Sequence, residues 1–219
     1  MNSAIGRWSA VAVTTAVVLF GLAMLLRLDY GAYAMSMLIS WAYVLLACSF
    51  SATAGRERRA AAEAGVAFAV LYAGFVTSVY FVQLTTVLHG AASADILALL
   101  TYQQLGSLMF NLDLLGYGLM SISTIFVGLT LSGTSRAERC LRLLLIVHGV
   151  FAPMCIALPI WNVFAAMPKA GGDAIGIAVL VVWCVYFTPV GILAVRHFTT
   201  PEGKLGDDPS SLRLAAGYA

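Results

Sequence analysis

The chain has 219 residues, 61% of them apolar and 10% charged, with a net charge of +2 and a mean hydropathy of +0.93. A soluble domain is ordinarily about 25% charged, and a soluble fold of this size could not hide so much apolar surface, so lipid must be the solvent for much of it. The small net charge, with no basic patch interleaved with aromatics, excludes a nucleic-acid partner.

A membrane-spanning helix needs about 20 mainly apolar residues, and six segments qualify. The first, Ser9–Leu28, follows Arg7. With "AYA" at Ala32–Ala34 it loosely resembles a signal peptide, but its apolar run exceeds the ~7–15 residues of a typical signal core. Cleavage there would also cut into the next apolar segment, so an uncleaved span is expected. The second span, Gly31–Ser51, carries Ser36, Ser40, Tyr43 and Ala47 on one stripe. The loop "AGRERRAA" leads to the third, Ala61–Leu88, with Gly65, Ala69, Tyr72, Tyr80 and Gln83 on one stripe.

The segment Ser93–Leu105, "SADILALLTYQQL", reads as a short external helix with Ser93 as N-cap and Asp95 in its first turn. Fused to the fourth span, Ser107–Leu131, it would run to roughly 58 Å. That is too long for one crossing, so a break near Gly106 is expected. The loop "TSRAERCLR" precedes the fifth span, Cys140–Met167, whose stripe is His148, Ala152, Cys155, Pro159 and Asn162. Pro153 and Pro159 here, and Pro189 in the sixth span, Ala174–His197, remove backbone donors and free the carbonyls of Gly149, Cys155 and Val185. Residues 1–198 thus read as one all-α, polytopic six-helix transmembrane domain. Residues 199–219, polar and with Pro201 and Pro209, are expected to be a disordered cytoplasmic tail.

The basic residues orient the bundle. Arg7, both arginine loops, Arg196, Lys204 and Arg213 lie on one side, and only Arg27 and Lys169 on the other. The positive-inside bias therefore predicts both termini in the cytoplasm. Ten arginines against two lysines suggest a GC-rich bacterial coding sequence, and with it a bacterial cytoplasmic (inner) membrane.

Asp113, in "FNLDLLGYG", is the carboxylate inside a span. At 100° per residue, Tyr117, Ser121, Thr124 and Gly128 share its side of the helix. Leu115, Leu119, Ile122, Phe126 and Leu129 take the other side. Small and polar residues collect where helices meet in lipid, so Asp113 is expected to face the bundle. An aspartate at mid-membrane costs about 2.5–3.5 kcal/mol on the insertion scale, and the twelve Leu, Ile, Val and Phe residues of the span outweigh that. Three explanations stay open: an ion pair with Arg27, a protonated and hydrogen-bonded carboxyl, or a ligand site. Gln83 and Asn162 lie similarly close to the outer ends of their spans, Ser36 near the outer end of the second, and Tyr80 and Tyr117 one turn deeper. An outward-opening pocket lined by these residues, with Ser93–Leu105 as a lid, would suit a small neutral or cationic amphiphile.

Other chemistries find no support. His89 and His197 sit at opposite membrane faces, about 30 Å apart, with His148 in mid-membrane. They cannot share a zinc or a haem, so no metal or cofactor is expected. No lysine lies within a span to hold retinal, and no GxSxG elbow, P-loop or dinucleotide fingerprint occurs. Cys48, Cys140, Cys155 and Cys184 show no paired spacing and read as small core residues. Beyond the lipid bilayer, the expected partners are a small-molecule or lipid ligand, and another membrane protein or a second copy of the chain. The runner-up function is a non-catalytic accessory subunit packing against such a protein. An enzyme of lipid chemistry would require His148 or Asp113 to reach a second catalytic group.

Overall fold

The computed structural model describes residues 1–133, 135–166 and 172–199. They form an all-α membrane bundle with six helices long and apolar enough to cross a bilayer. The elements are α1 (Asn2–Leu25), α2 (Asp29–Thr53), α3 (Arg59–Val82), α4 (Ala94–Leu100), α5 (Leu108–Thr130), α6 (Arg136–His148), α7 (Phe151–Ile160) and α8 (Gly172–Thr199). The polar tail expected at 199–219 lies, past Thr199, outside the described residues, as do Lys169 and the expected end of the fifth span at Met167.

The spans pack in chain order and close on themselves. α1 contacts α2, α2 contacts α3 and α3 contacts α5; α5 packs on α6 and α7, α6 reaches α8, and α8 returns to α1. Each span sends a large side chain into the middle: Phe20, Tyr43, Tyr72, Met120, His148 and Phe187 are all essentially inaccessible. The stripes of α2, α3 and α5 face this centre as their periodicity requires, while Leu129 on the far side of α5 is exposed. A hydroxyl chain ties three spans together. Tyr43 donates to Ser123 Oγ at 3.0 Å, and Ser123 donates to the Gly65 carbonyl at 2.6 Å.

Small residues allow the closest approaches. A side chain at Gly149 would overlap Ile125, and one at Gly128 would come within 2.9 Å of Ile146. Cys155 and Cys184 pack inside as small residues can, but Cys48 and Cys140 are exposed, which corrects their reading as core.

Three departures from the expected elements have local causes. The fifth span begins earlier, at Arg136, where Ser135 accepts from the Glu138 N–H as an N-cap. It breaks between α6 and α7 because Pro153 cannot donate to Gly149, whose carbonyl takes the Ala152 N–H at 3.1 Å instead. The external helix is only seven residues, Ala94–Leu100, with Ser93 at its N-cap position but making no side-chain cap bond. The chain then turns through Gly106 (φ +79°), where only glycine is comfortable, and Ser107 both caps α5 and donates to the Thr101 carbonyl at 2.8 Å. The expected break near Gly106 is where the chain turns, but the helix has already ended before it.

The two ends of the bundle differ. Ser3, Thr53, Arg58, Thr130, Ser135 and Arg196 gather at one end, hereafter the arginine end, around a cavity of about 620 Å³. Arg58 there donates to the last α5 carbonyls through Thr130 O at 3.1 Å. The α1–α2 turn and the α3–α5 connection occupy the opposite end.

Candidate functional site

Asp113 is the sixth residue of α5, about 9 Å from its start at the end opposite the arginines. It is 5% exposed, and its Oδ1 has no hydrogen-bond partner. Ser36 of α2, Tyr72 and Tyr80 of α3, and Tyr117 of α5 bring four more buried hydroxyls to the same region, each likewise unpartnered. Tyr80 faces both the Asp113 carboxyl and Ser36, and Tyr72 faces Tyr117, without any of these approaches closing into a hydrogen bond. All the unpartnered buried side-chain polar atoms among the described residues belong to this cluster. Leaving one such atom unsatisfied costs about 1–3 kcal/mol, and native folds keep such atoms few.

Aromatic rings enclose the cluster. Tyr33 and Tyr80 lie 5.5 Å apart, Tyr72 and Tyr117 5.6 Å, and Tyr117 meets Trp183 edge-on at 5.4 Å. From the α4–α5 connection, Tyr102 inserts between Tyr33 (5.9 Å) and Tyr80 (5.4 Å) and is 7% exposed. Tyr102 lies outside the spans, and burial, then the nearby Asp113 carboxyl, push its phenol well above the usual range. Where the sequence suggested an outward-open pocket, the rings are in contact and Tyr102 closes the far end.

Four of the expected site residues, Asp113, Tyr80, Tyr117 and Ser36, come together; the other two do not line the site. Gln83 is fully buried, but its amide is committed to the backbone. Nε2 donates to Leu100 O at 2.8 Å, and Oε1 accepts from the Tyr102 N–H at 3.0 Å. Gln83 thus latches the segment that carries Tyr102. It also opens a π-helical turn, Gln83–Val87, in which Leu88 N–H reaches back to Gln83 O at 3.0 Å. Asn162 is exposed and has φ +55° just after α7 ends at Ile160. It is there because asparagine tolerates the left-handed conformation that terminates a helix. The Arg27–Asp113 ion pair does not form. Arg27 is exposed in the α1–α2 turn, itself at φ +54°, and no ion pair joins it to Asp113.

His148 has a definite role. Its Nε2 lies 2.9 Å from Trp183 Nε1 and its Nδ1 3.0 Å from Thr124 Oγ1. An indole N–H can only donate, so Nε2 must accept and Nδ1 must carry the proton. Nδ1–H donates to Thr124 Oγ1, which donates in turn to the Ser121 carbonyl at 2.8 Å. The imidazole is neutral and has no lone pair left, so it joins α5, α6 and α8 rather than serving as a base. No group of three or more His, Cys, Asp or Glu side chains among the described residues could hold a metal ion.

Sequence reasoning placed Tyr72 on an inward stripe but not in the site, and it missed Tyr33, Tyr102 and Trp183. Tyr72 had a signal in its 3.6-residue spacing from Ala69 and Tyr80. Tyr102 lies outside any periodic element and had none. At the arginine end, the cavity mixes Arg58 and Arg196 with Glu57 and Glu138, so no single charge dominates it. Against family models, curated proteins and solved structures, the chain finds no match.

Proposed function

We propose that the chain is a multi-pass protein of a bacterial cytoplasmic membrane, with the arginine end inside, that binds a small neutral or cationic amphiphile at the Asp113 cluster for sensing or transport. The observation that carries this reading is the concentration of four buried, unpartnered hydroxyls around one carboxyl whose Oδ1 is also unpartnered, within an aromatic shell. A fold that needed only cohesion would gain by closing these hydrogen bonds or replacing the groups with apolar ones. A ligand-binding fold keeps polar groups open for the ligand and accepts the loss of stability. The outward placement follows from the positive-inside count.

A thermal-shift screen of small amphiphiles on the purified chain tests it, with Asp113→Asn in parallel. A saturable stabilisation of the wild type, weakened by the substitution, is expected. The absence of any ligand-dependent shift in either protein would count against the reading.

A second reading is favoured by the ring-to-ring packing of the same region. A non-catalytic accessory subunit needs no opening, and its lipid-facing surface would pack on another membrane protein. That reading expects a stable, stoichiometric membrane-protein partner on mild extraction, and an Asp113→Asn variant that still assembles with it.

A further inference from the structure

The donor and acceptor inventory of the cluster narrows the ligand. An ionised Asp113 only accepts hydrogen bonds, and the oxygens of Ser36, Tyr72, Tyr80 and Tyr117 can all accept as well. What these five atoms share is the capacity to accept, and the carboxylate among them can do nothing else. An anion would meet the carboxylate with like charge, and an alcohol brings a single donor. An alkylammonium brings three N–H donors, no acceptor and a positive charge. The rings of Tyr33, Tyr80 and Tyr102 pack together beside the cluster, an aromatic surrounding that favours a cation over an anion. Among the described residues the basic side chains at this end are Arg27, which is exposed and unpaired with Asp113, and His89, which packs on Tyr30, so neither competes for the carboxylate.

The way in is also marked. Tyr102 covers the cluster at the end opposite the arginines, so a ligand entering from that end must displace its ring. The segment bearing it is held by two hydrogen bonds to one buried side chain, Gln83, by Ser107 to Thr101 O, and at the surface by Gln103 Nε2 to Asp29 Oδ1 at 3.2 Å. It follows α4, which the π-helical turn at Gln83–Val87 precedes, and ends at the left-handed Gly106. π-turns are rare and recur at functional sites.

We infer that the Asp113 cluster binds a primary alkylammonium, whose N–H groups bridge the carboxylate and the surrounding hydroxyls, and that it enters beneath Tyr102 when the Gln83 latch opens. This rests on the ligand-binding reading above.

The experiment uses the full chain in detergent with four probes of matched chain length: hexylammonium, hexyltrimethylammonium, hexanol and hexanoate. Hexylammonium is expected to give a saturable thermal shift, with affinity at least tenfold above the other three. Tyr80→Phe, which removes a hydroxyl and keeps the ring, should weaken hexylammonium about threefold, and Asp113→Asn should abolish its preference over hexanol. Because Asp113→Asn could fail to fold, the Tyr80→Phe result stands without it. Gln83→Leu should speed hexylammonium association severalfold in stopped-flow Trp fluorescence.

Each alternative outcome is informative. Hexanol binding as well as hexylammonium overturns the cation class and leaves the broader ligand reading standing. Equal binding of hexyltrimethylammonium overturns the N–H bridging. An unchanged association rate in Gln83→Leu overturns the entry route. No shift with any of the four probes overturns this inference, whereas the broader reading falls only if the wider screen is also silent.

Discussion

Two polar clusters sit side by side in this bundle, joined by the edge contact of Tyr117 with Trp183. Around His148 every polar group in the Trp183–His148–Thr124–Ser121 chain is paired, in a single direction of donation. Around Asp113, one helical turn from Tyr117, five polar atoms of similar burial remain unpaired. Both clusters would look alike in a list of intramembrane polar residues. The difference is that the first spends its donors and acceptors on holding three helices together, while the second withholds them. In lipid, a buried group that has found its partner reads as structure, and one that has not is a candidate for binding.

The most severe break of this comparison is His148→Ala. It leaves the Trp183 N–H without an acceptor and opens a void between α5, α6 and α8. Equilibrium unfolding in mixed micelles should show a loss of about 3 kcal/mol. A loss below about 1 kcal/mol would mean the paired cluster is dispensable.

Much of this was legible before any coordinates. Six spans, the inward stripes of α2, α3 and α5 and the turn at Gly106 follow from hydrophobic length and 3.6-residue spacing, which depend on local sequence, whereas the stripe of the fifth span holds only at His148 and Ala152. The inward direction of Asp113 followed from the same rule. Gln83 was read as lining the site because its helical face is right. Its actual partners, Leu100 and Tyr102, belong to a connection whose return path no helical wheel encodes. Asn162 was misplaced for a different reason: α7 stops at Ile160, so the residue falls beyond the helix on which its depth was counted. Arg27 was offered to Asp113 by depth alone, yet the α1–α2 turn leaves it exposed.

The next largest effect is expected at the latch. Gln83→Leu removes both amide contacts to the connection, and a cost of about 1–2 kcal/mol follows for opening that segment. Hydrogen exchange should show the amides of 101–107 opening faster while those of α5 hold their protection. Uniform acceleration across the bundle would argue that Gln83 supports the whole fold rather than this segment.

Asp113→Leu should act in the opposite direction. Exchanging an unpaired carboxyl for an apolar side chain is expected to raise the unfolding free energy by about 1 kcal/mol. Destabilisation instead would show that the carboxyl has a partner in the native protein.

The smallest and sharpest contrast is between two tyrosines. Tyr43→Phe removes a hydroxyl that donates to Ser123 and should cost about 0.6 kcal/mol, the usual value for a hydrogen bond between helices in lipid. Tyr80→Phe removes an unpartnered one and should change stability by less than that. Equal costs for the two would erase the distinction between the clusters.

The return of α8 to α1 has a consequence for how the protein is made. α1 leaves the ribosome well before α8, yet presents Gly6, Gly21 and Thr14 to positions on it: a side chain at Gly6 would collide with Phe198, Gly21 lies against Cys184, and Thr14 fills the notch left by Gly191. His148 likewise waits for Trp183. Until the sixth span has been inserted, α1 holds an unfilled groove toward its neighbour and the membrane contains an open arc of helices rather than a ring. Late truncations should therefore be cleared by membrane proteases far more readily than the full chain, even though five of the six crossings are already in place.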